Sequence, residues 1–119
     1  TAASSGRARY AYRPVGRLLR AIRPKLIYTV PTFQNPTGTT LPPERRSELI
    51  DVARRYQCLI VEDDAYGDLW YGGESSDAHR PIPLKGMENA GYVMYLSTFS
   101  KTVTSGLRTG WVVADPHVT

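Results

Sequence analysis

Apolar residues recur at helical spacing near the start of the chain. Within residues 14–23, four apolar side chains fall on one helical face and arginines fall between them: Val15, Leu18, Leu19 and Ile22. Pro24 follows directly, and proline cannot continue a helix. The pattern predicts a short amphipathic helix over residues 14–23. Residues 1–13 show no such period, and we expect them to be poorly ordered.

Four short runs rich in β-branched and aromatic residues predict strands, at residues 26–30, 58–62, 92–96 and 110–114. A helix is predicted between the first two runs. Pro42 and Pro43 can open it, because the N–H groups of a first turn are unpaired in any case. An apolar stripe then runs to Tyr56, opposite a charged face that includes Arg45 and Arg46. Residues 72–91 are predicted to be an exposed loop.

The lengths of the connections predict how the strands pair. A strand, a helix and a strand within about 35 residues form a βαβ unit, whose strands run parallel. Only 13 residues separate Leu96 from Gly110, and they contain no convincing helix. Because a parallel crossover needs a dozen or more residues, usually with a helix, the last strand is predicted to be antiparallel. The predicted fold is α/β, a partial and mostly parallel sheet with flanking helices.

Length and composition limit the classes of protein to consider. The chain has 119 residues, of which 41% are hydrophobic, which suits one globular domain. It contains no apolar run of about 20 residues and no secretory signal pattern, so we expect no membrane span. Its one cysteine, Cys58, cannot form an internal disulfide, which favours a reducing, cytoplasmic setting.

The net charge of +4 is unevenly distributed. Seven of the 15 basic residues lie within residues 1–25, which contain no acid. Such an arm can bind nucleic acid or an anionic surface, but no zinc-ligand spacing, helix-turn-helix pattern or aromatic RNA-binding signature accompanies it. We therefore favour a solvated helix face and expect no nucleic acid partner for this segment. The charge divides the chain into a basic arm with a short helix, residues 1–23, and a main unit, residues 24–119.

Unusual polar residues follow three of the predicted strands. They are an amide after the first strand, an acid and a phenol after the second, and two hydroxyls, a lysine and an arginine after the third: Asn35, Asp63, Tyr66, Thr98, Ser100, Lys101 and Arg108. Ligands of open α/β sheets bind beyond the carboxyl ends of the strands. Hydroxyls and arginine bind phosphate, a carboxylate can hold a protonated ring nitrogen, and lysine can form a Schiff base. The set suits an anionic, aromatic ligand with a carbonyl group.

Three ordered motifs resemble those of a known family. They are residues 31–38 (PTFQNPTG), residues 62–66 (EDDAY), and residues 97–101 (STFSK) with 106–111 (GLRTGW). The stretch from residue 24 to residue 116 resembles the large domain of class I/II aminotransferases, fold-type I enzymes that use pyridoxal 5'-phosphate. Within that family it looks most like the 2-aminoadipate, kynurenine and aromatic aminotransferase branch.

The resemblance implies a role for each predicted site residue. Lys101 would be the internal aldimine lysine and the base of the 1,3-proton shift. Asp63, three residues before Tyr66, would pair with the pyridinium nitrogen. Tyr66 and Asn35 would bond the phenolate oxygen of the ring. The phosphate would be held by the remaining three residues, Thr98, Ser100 and Arg108.

Other polar residues near these motifs receive no such role. We expect Glu62 and Asp64 to be loop residues or supporting groups, and Tyr28, Tyr92 and Tyr95 to pack in the sheet rather than to contact a ligand. The resemblance further implies amino acid and 2-oxo acid substrates, and a homodimer for the full-length form.

Three interpretations remain open at this point. The chain can be an incomplete aminotransferase, the effector domain of a GntR-type transcription regulator, or an inactive fragment. The family's upstream stacking aromatic, its glycine-rich turn and its small domain are expected to lie outside these residues.

Overall fold

The computed structural model describes residues 12–72 and 79–118, so the expectation for residues 1–11 lies outside the described part. Two helices and four strands form the framework: α1 Tyr12–Ile22, β1 Leu26–Thr29, α2 Pro43–Tyr56, β2 Leu59–Asp63, β3 Val93–Thr98 and β4 Gly110–Val113. Three single turns of 3₁₀ helix complete it, at Gly67–Leu69, Leu84–Met87 and Ser105–Leu107. All the predicted elements are present, with ends within two residues of their predicted positions.

The helix ends follow from local backbone chemistry. Helix α1 begins two residues before the predicted start and ends before Arg23, which adopts a left-handed φ of 49° ahead of Pro24. Helix α2 begins at Pro43, where a missing N–H has no cost. It ends at Gln57, also left-handed, whose N–H reaches the carbonyl oxygens of Ala53 and Arg54.

The sheet confirms the predicted topology. Its strand order is β1-β2-β3-β4, with β1, β2 and β3 parallel and β4 antiparallel to β3. The register pairs Tyr28 with Val61, Val61 with Met94, and Leu96 with Val112. Paired residues share a face of the sheet, so the register assigns every strand residue to one of two faces.

One face, called the covered face below, packs against α2 and the Leu84–Met87 turn. Its core consists of Leu49, Ile50, Ala53, Ile60, Leu84 and Val93, with Ile27 and Leu41 against it. Leu84 is fully buried, so the segment predicted as an exposed loop contributes to the core. Arg45 and Arg46 were predicted on the charged face of this helix, opposite the apolar stripe, but both are buried, with 8% and 1% of their surface exposed.

The opposite face, called the open face below, carries Leu26, Tyr28, Asp63, Leu96, Thr98 and Val112. None of the described helices packs on it, and Leu26, Tyr28 and Val112 are each more than half exposed.

None of the helices in residues 12–72 and 79–118 is long and apolar enough to cross a membrane.

Candidate active site

The parallel strands β1, β2 and β3 end at one edge of the sheet, and six of the seven predicted site residues lie at that edge. Asn35 lies in the loop after β1. Asp63 is the last residue of β2, and Tyr66 follows it by three. Thr98 is the last residue of β3, with Ser100 and Lys101 directly after it. The topology therefore places these residues on neighbouring segments, as a site of the predicted kind requires.

The loop after β1 is closed by its own hydrogen bonds. The N–H of Gln34 donates to the carbonyl oxygen of Thr39 at 2.9 Å, and the Gln34 side-chain oxygen accepts from the N–H of Thr37 at 3.1 Å. Gly38 adopts a φ of 69°, a conformation that favours glycine. Asn35 lies exposed in this closed turn, so its amide points away from the core.

The Arg46 side chain fixes both ends of that loop. Its guanidinium donates to the carbonyl oxygens of Pro31 at 3.0 Å and Leu41 at 2.8 Å. It also donates to the Thr32 hydroxyl at 2.8 Å and to the carbonyl oxygen of Ile82 at 3.1 Å. The sequence did not predict this structural role of Arg46, because its hydrogen-bond partners come from segments that are far apart in sequence.

Glu62, in strand β2, is fully buried on the covered face. Its carboxylate accepts the backbone N–H groups of Leu84 at 2.7 Å and Lys85 at 2.9 Å, and lies 3.9 Å from Arg46. Burial raises the pKa of Glu62, an effect that the two N–H donors oppose. Glu62 thus anchors the Leu84–Met87 turn to β2, and it lies in a strand rather than in a loop.

Asp64 is also buried and also faces protein. Its Oδ2 accepts the Tyr95 hydroxyl at 3.1 Å and lies 3.5 Å from Arg80, while its carbonyl oxygen accepts the Ser97 hydroxyl at 3.0 Å. Burial raises the pKa of the Tyr95 phenol. Within residues 12–72 and 79–118, Oδ1 of Asp64 is the one buried side-chain oxygen or nitrogen without a hydrogen-bond partner.

Asp63 differs from both neighbours because it lies on the open face. Its Oδ2 accepts the Tyr28 hydroxyl at 2.5 Å. Its Oδ1 accepts no hydrogen bond from the described residues. The hydrogen bond from the Tyr28 hydroxyl to Asp63 raises the pKa of Tyr28 to about 12, because ionising the phenol would place two anions together. Tyr28 was expected only to pack in the sheet, and the structure shows a polar contact instead.

The end of β3 brings two predicted hydroxyls together. The Thr98 hydroxyl lies 3.0 Å from the Ser100 hydroxyl and 3.0 Å from the carbonyl oxygen of Thr109, and it accepts the N–H of Ser100 at 3.1 Å. These contacts fold the chain back at the start of the Phe99–Thr109 segment. Two hydroxyls and a tight turn suit the binding of a phosphate group.

Lys101 meets one of the residues predicted to share its site. Its ammonium nitrogen lies 5.7 Å from the centre of the Tyr66 ring, within the range of a cation–π contact. Arg108 adopts a left-handed φ of 48° after the Ser105–Leu107 turn and is exposed. Neither Arg108 nor the Asn35 side chain is hydrogen-bonded to the other predicted residues. The structure therefore joins Lys101 to Tyr66 and Thr98 to Ser100, and leaves Asn35 and Arg108 apart.

Comparison with known proteins identifies the family. The model of the family described as aminotransferase class I and II matches residues 14–119. The chain belongs to this family. The assignment agrees with the motif resemblance and with the mixed sheet.

Relatives of two kinds match at similar levels. An aromatic-amino-acid aminotransferase of Thermococcus litoralis is 47% identical over 94 residues, which are 78% of this chain and 21% of the relative. An uncharacterised HTH-type transcriptional regulator of Bacillus subtilis is 49% identical over 94 residues, which are 79% of this chain and 18% of the relative. The chain thus spans about a fifth of the length of these relatives.

Solved structures of the family share the fold. The kynurenine aminotransferase of Pyrococcus horikoshii, solved in complex with PMP, superposes with a TM-score of 0.78 at 41% identity. The match covers 89% of this chain and 26% of that one. The α-aminoadipate aminotransferase LysN of Thermus thermophilus gives a TM-score of 0.81 at 32% identity, over 91% of this chain and 27% of that one.

Proposed function

We propose that this chain carries part of the pyridoxal 5'-phosphate site of an aminotransferase, with Lys101 as the residue that bonds the cofactor. The observation that supports this most is the placement of the Lys101 ammonium group 5.7 Å from the centre of the Tyr66 ring. That arrangement joins the third and second motifs of the family in space.

The donors and acceptors present fit the cofactor group by group. The free Oδ1 of Asp63 can accept the N–H of a pyridinium ring. The hydroxyls of Thr98 and Ser100 can donate to a phosphate, and Arg108 adds a bidentate cation. Tyr66 and Asn35 can donate to the oxygen on the ring. Each of these groups is therefore chemically suited to the part of the cofactor that it would contact.

When bound, pyridoxal phosphate supplies an electron sink for the carbanion formed at the substrate Cα. The chain's own residues then have separate tasks. Asp63 keeps a proton on the ring nitrogen, since an adjacent anion favours the charged ring. Lys101 would act as the base, whose Nζ holds the proton that moves during the 1,3-proton shift. The hydroxyls and Arg108 hold the phosphate still, which orients the reacting atoms.

The wider function follows from the same proposal. The substrates are an amino acid and a 2-oxo acid, and the setting is amino acid metabolism, including biosynthesis, in the cytoplasm. The full-length form is a homodimer. The relatives named for aromatic amino acids, kynurenine and aminoadipate support the branch of the family proposed here.

A second candidate function has specific support. A regulator of Bacillus subtilis is as similar to this chain as the aminotransferases are. The alternative is an effector domain that binds the same cofactor without completing transamination. Both candidates need Lys101, so the cofactor site can be tested before they are separated.

Borohydride trapping tests the site. The chain has three lysines, Lys25, Lys85 and Lys101. The chain is mixed with pyridoxal phosphate, reduced, digested and mapped by mass spectrometry. We expect the label on Lys101, loss of that label in Lys101→Ala, and full labelling of Lys101 in the control Lys85→Ala. Equal labelling of the three lysines would contradict the proposal.

A half-reaction separates the two candidates. Amino acids are added to the loaded chain without an acceptor, and the released cofactor is analysed by chromatography. Conversion to the amine form of the cofactor indicates an aminotransferase. Retention of the aldehyde form, with Lys101 still labelled on reduction, indicates an effector domain or an inactive fragment.

A further inference from the structure

The Tyr28 side chain occupies a position that the proposed function does not yet use. Tyr28 lies in β1 and pairs with Val61 in β2, so it lies on the open face two residues short of Asp63 on the neighbouring strand. The parallel register fixes this offset. A long side chain that leans towards the carboxyl end of β1 reaches the end of β2.

Among residues 12–72 and 79–118, the hydroxyl of Tyr28 makes one hydrogen bond, and its partner is Asp63. The distance from the hydroxyl to Oδ2 is 2.5 Å, at the short end of the range for hydrogen bonds to a carboxylate. The ring itself is 58% exposed, so packing within the described residues is not its main use. Of the two oxygens of Asp63, one is therefore held and the other is open.

We propose that Tyr28 is a positioning residue, which fixes the Asp63 carboxylate so that its open oxygen can accept the ring N–H of pyridoxal phosphate. This inference rests on the proposed function, since it concerns the same site. A carboxylate at the end of a strand rotates about two side-chain bonds. Binding one oxygen to a hydroxyl on the neighbouring strand limits that rotation before the ligand arrives, which reduces the entropy lost on binding.

The chemistry of a phenol suits this task. A neutral hydroxyl can donate to the carboxylate without cancelling its charge, whereas lysine or arginine would compete with the pyridinium for it. Phenylalanine would keep the ring and lose the donor. The change Tyr28→Phe therefore isolates the hydroxyl, and Tyr71→Phe is a matched control because Tyr71 is 92% exposed.

The first measurement needs no cofactor. Tyrosine labelled with ¹³C at Cζ is titrated by NMR, and Tyr28→Phe identifies the Tyr28 signal by its absence. We expect the Tyr28 signal to titrate with a pKa of about 12. In Asp63→Asn, which removes the anion, the pKa should fall towards the ordinary value of 10.0. An unchanged titration in Asp63→Asn would overturn the contact and the inference with it.

The second measurement uses pyridoxal phosphate labelled with ¹⁵N in the ring. At neutral pH the ¹⁵N shift reports the protonated fraction of the ring nitrogen in the bound cofactor. Tyr28→Phe should lower that fraction and weaken cofactor binding by about 2- to 10-fold, the usual worth of one hydrogen bond. Tyr71→Phe should match the unmodified chain within about twofold. A Tyr28→Phe chain with unchanged shift and affinity would overturn the inference.

The two measurements separate this inference from the function on which it rests. Borohydride labelling of Lys101 should persist in Tyr28→Phe, since the lysine itself is untouched. If the unmodified chain shows no labelling of Lys101 while Tyr28 still titrates near 12, the proposed function fails and so does the role of Tyr28 towards the cofactor. Labelling of Lys101 without any effect of Tyr28→Phe removes the positioning role alone.

Discussion

Glu62 and Asp63 are adjacent carboxylates in one strand, and the two faces of the sheet give them different environments. Glu62 points to the covered face, where two backbone N–H groups and Arg46 enclose it. Asp63 points to the open face, where the Tyr28 hydroxyl is its one side-chain hydrogen-bond donor in the part of the chain that the structure describes. Alternation along the strand therefore separates a structural acid from an acid with one oxygen available to a ligand.

The same contrast extends across the sheet. The covered face holds the apolar core and a buried ionic group, so its side chains are fixed by packing. The open face holds Asp63 and Thr98 beside apolar residues that remain exposed. We infer that substitutions on the covered face will act on stability, and that substitutions of polar groups on the open face will act on ligand binding.

The largest expected effect is on the covered face. Arg46→Ala removes the cation beside the buried Glu62 and the guanidinium donor to the carbonyl oxygens of Leu41 and Ile82. Breaking such a buried pair costs about 3–5 kcal/mol, enough to unfold a marginal domain. Urea unfolding followed by circular dichroism measures this. The exposed Arg55→Ala on the same helix should change stability by less than about 0.5 kcal/mol. Equal costs would refute the contrast.

One valine on each face allows the two faces to be compared by the same substitution. Val93 is 1% exposed on the covered face and Val112 is 57% exposed on the open face. Val93→Ala should cost about 2 kcal/mol, because it removes buried methyl groups and leaves a cavity. Val112→Ala should cost less than about 1 kcal/mol, mostly through strand propensity. Thermal unfolding of both variants checks the difference, and a reversed order would contradict the assignment of faces.

A smaller effect is expected where β3 and β4 meet beside the predicted phosphate-binding hydroxyls. Gly110 pairs with Thr98, and a Cβ at Gly110 would lie 2.7 Å from the carbonyl oxygen of Ser97. Gly110→Ala should therefore separate the strands at a cost of about 1–3 kcal/mol and reduce labelling of Lys101. In Gly106→Ala the nearest atom is 3.7 Å away, an ordinary contact, so its cost should be smaller. Parallel unfolding and labelling assays compare the two.

The smallest effect is a dependence on pH. Because burial raises the pKa of Glu62 above 4.5, the folded chain holds the proton of the Glu62 carboxyl group more tightly than the unfolded chain does. The contribution of Glu62 to stability therefore falls as the pH rises from 4.5 through the raised pKa, and is constant above it. Glu62→Gln lacks this titration. Its stability relative to the unmodified chain should increase across that window in urea unfolding at stepped pH. A flat difference would show that Glu62 does not titrate as described.

The fold could be predicted because it depends on local patterns and on the lengths of connections. The antiparallel β4 follows from the short segment before Gly110. The role of Arg46 could not be predicted, because helical periodicity treats a buried arginine as a solvated one. Its acceptors, from Pro31 to Ile82, meet only in the folded chain.

The candidate site, like the fold, contains features that the sequence predicts and features that only the folded chain shows. Motif spacing predicted which residues lie at the sheet edge, and the strand order brings most of them there. The Tyr28 contact could not be predicted, because it depends on the register between β1 and β2. The roles of Asn35 and Arg108 towards the cofactor remain predictions, since neither contacts the others in the described residues.

The central claim is that the open face and its edge, rather than the basic helix, receive the cofactor. Titration of ¹⁵N-labelled chain with pyridoxal phosphate, followed by amide shift mapping, tests this most directly. We predict shifts at residues 63–66 and 98–101 and at Arg108, with Ile60 and Leu84 unchanged. Shifts confined to the three arginines of α1, Arg13, Arg17 and Arg20, would show that the phosphate binds only as an anion on a basic surface. That result would contradict the account.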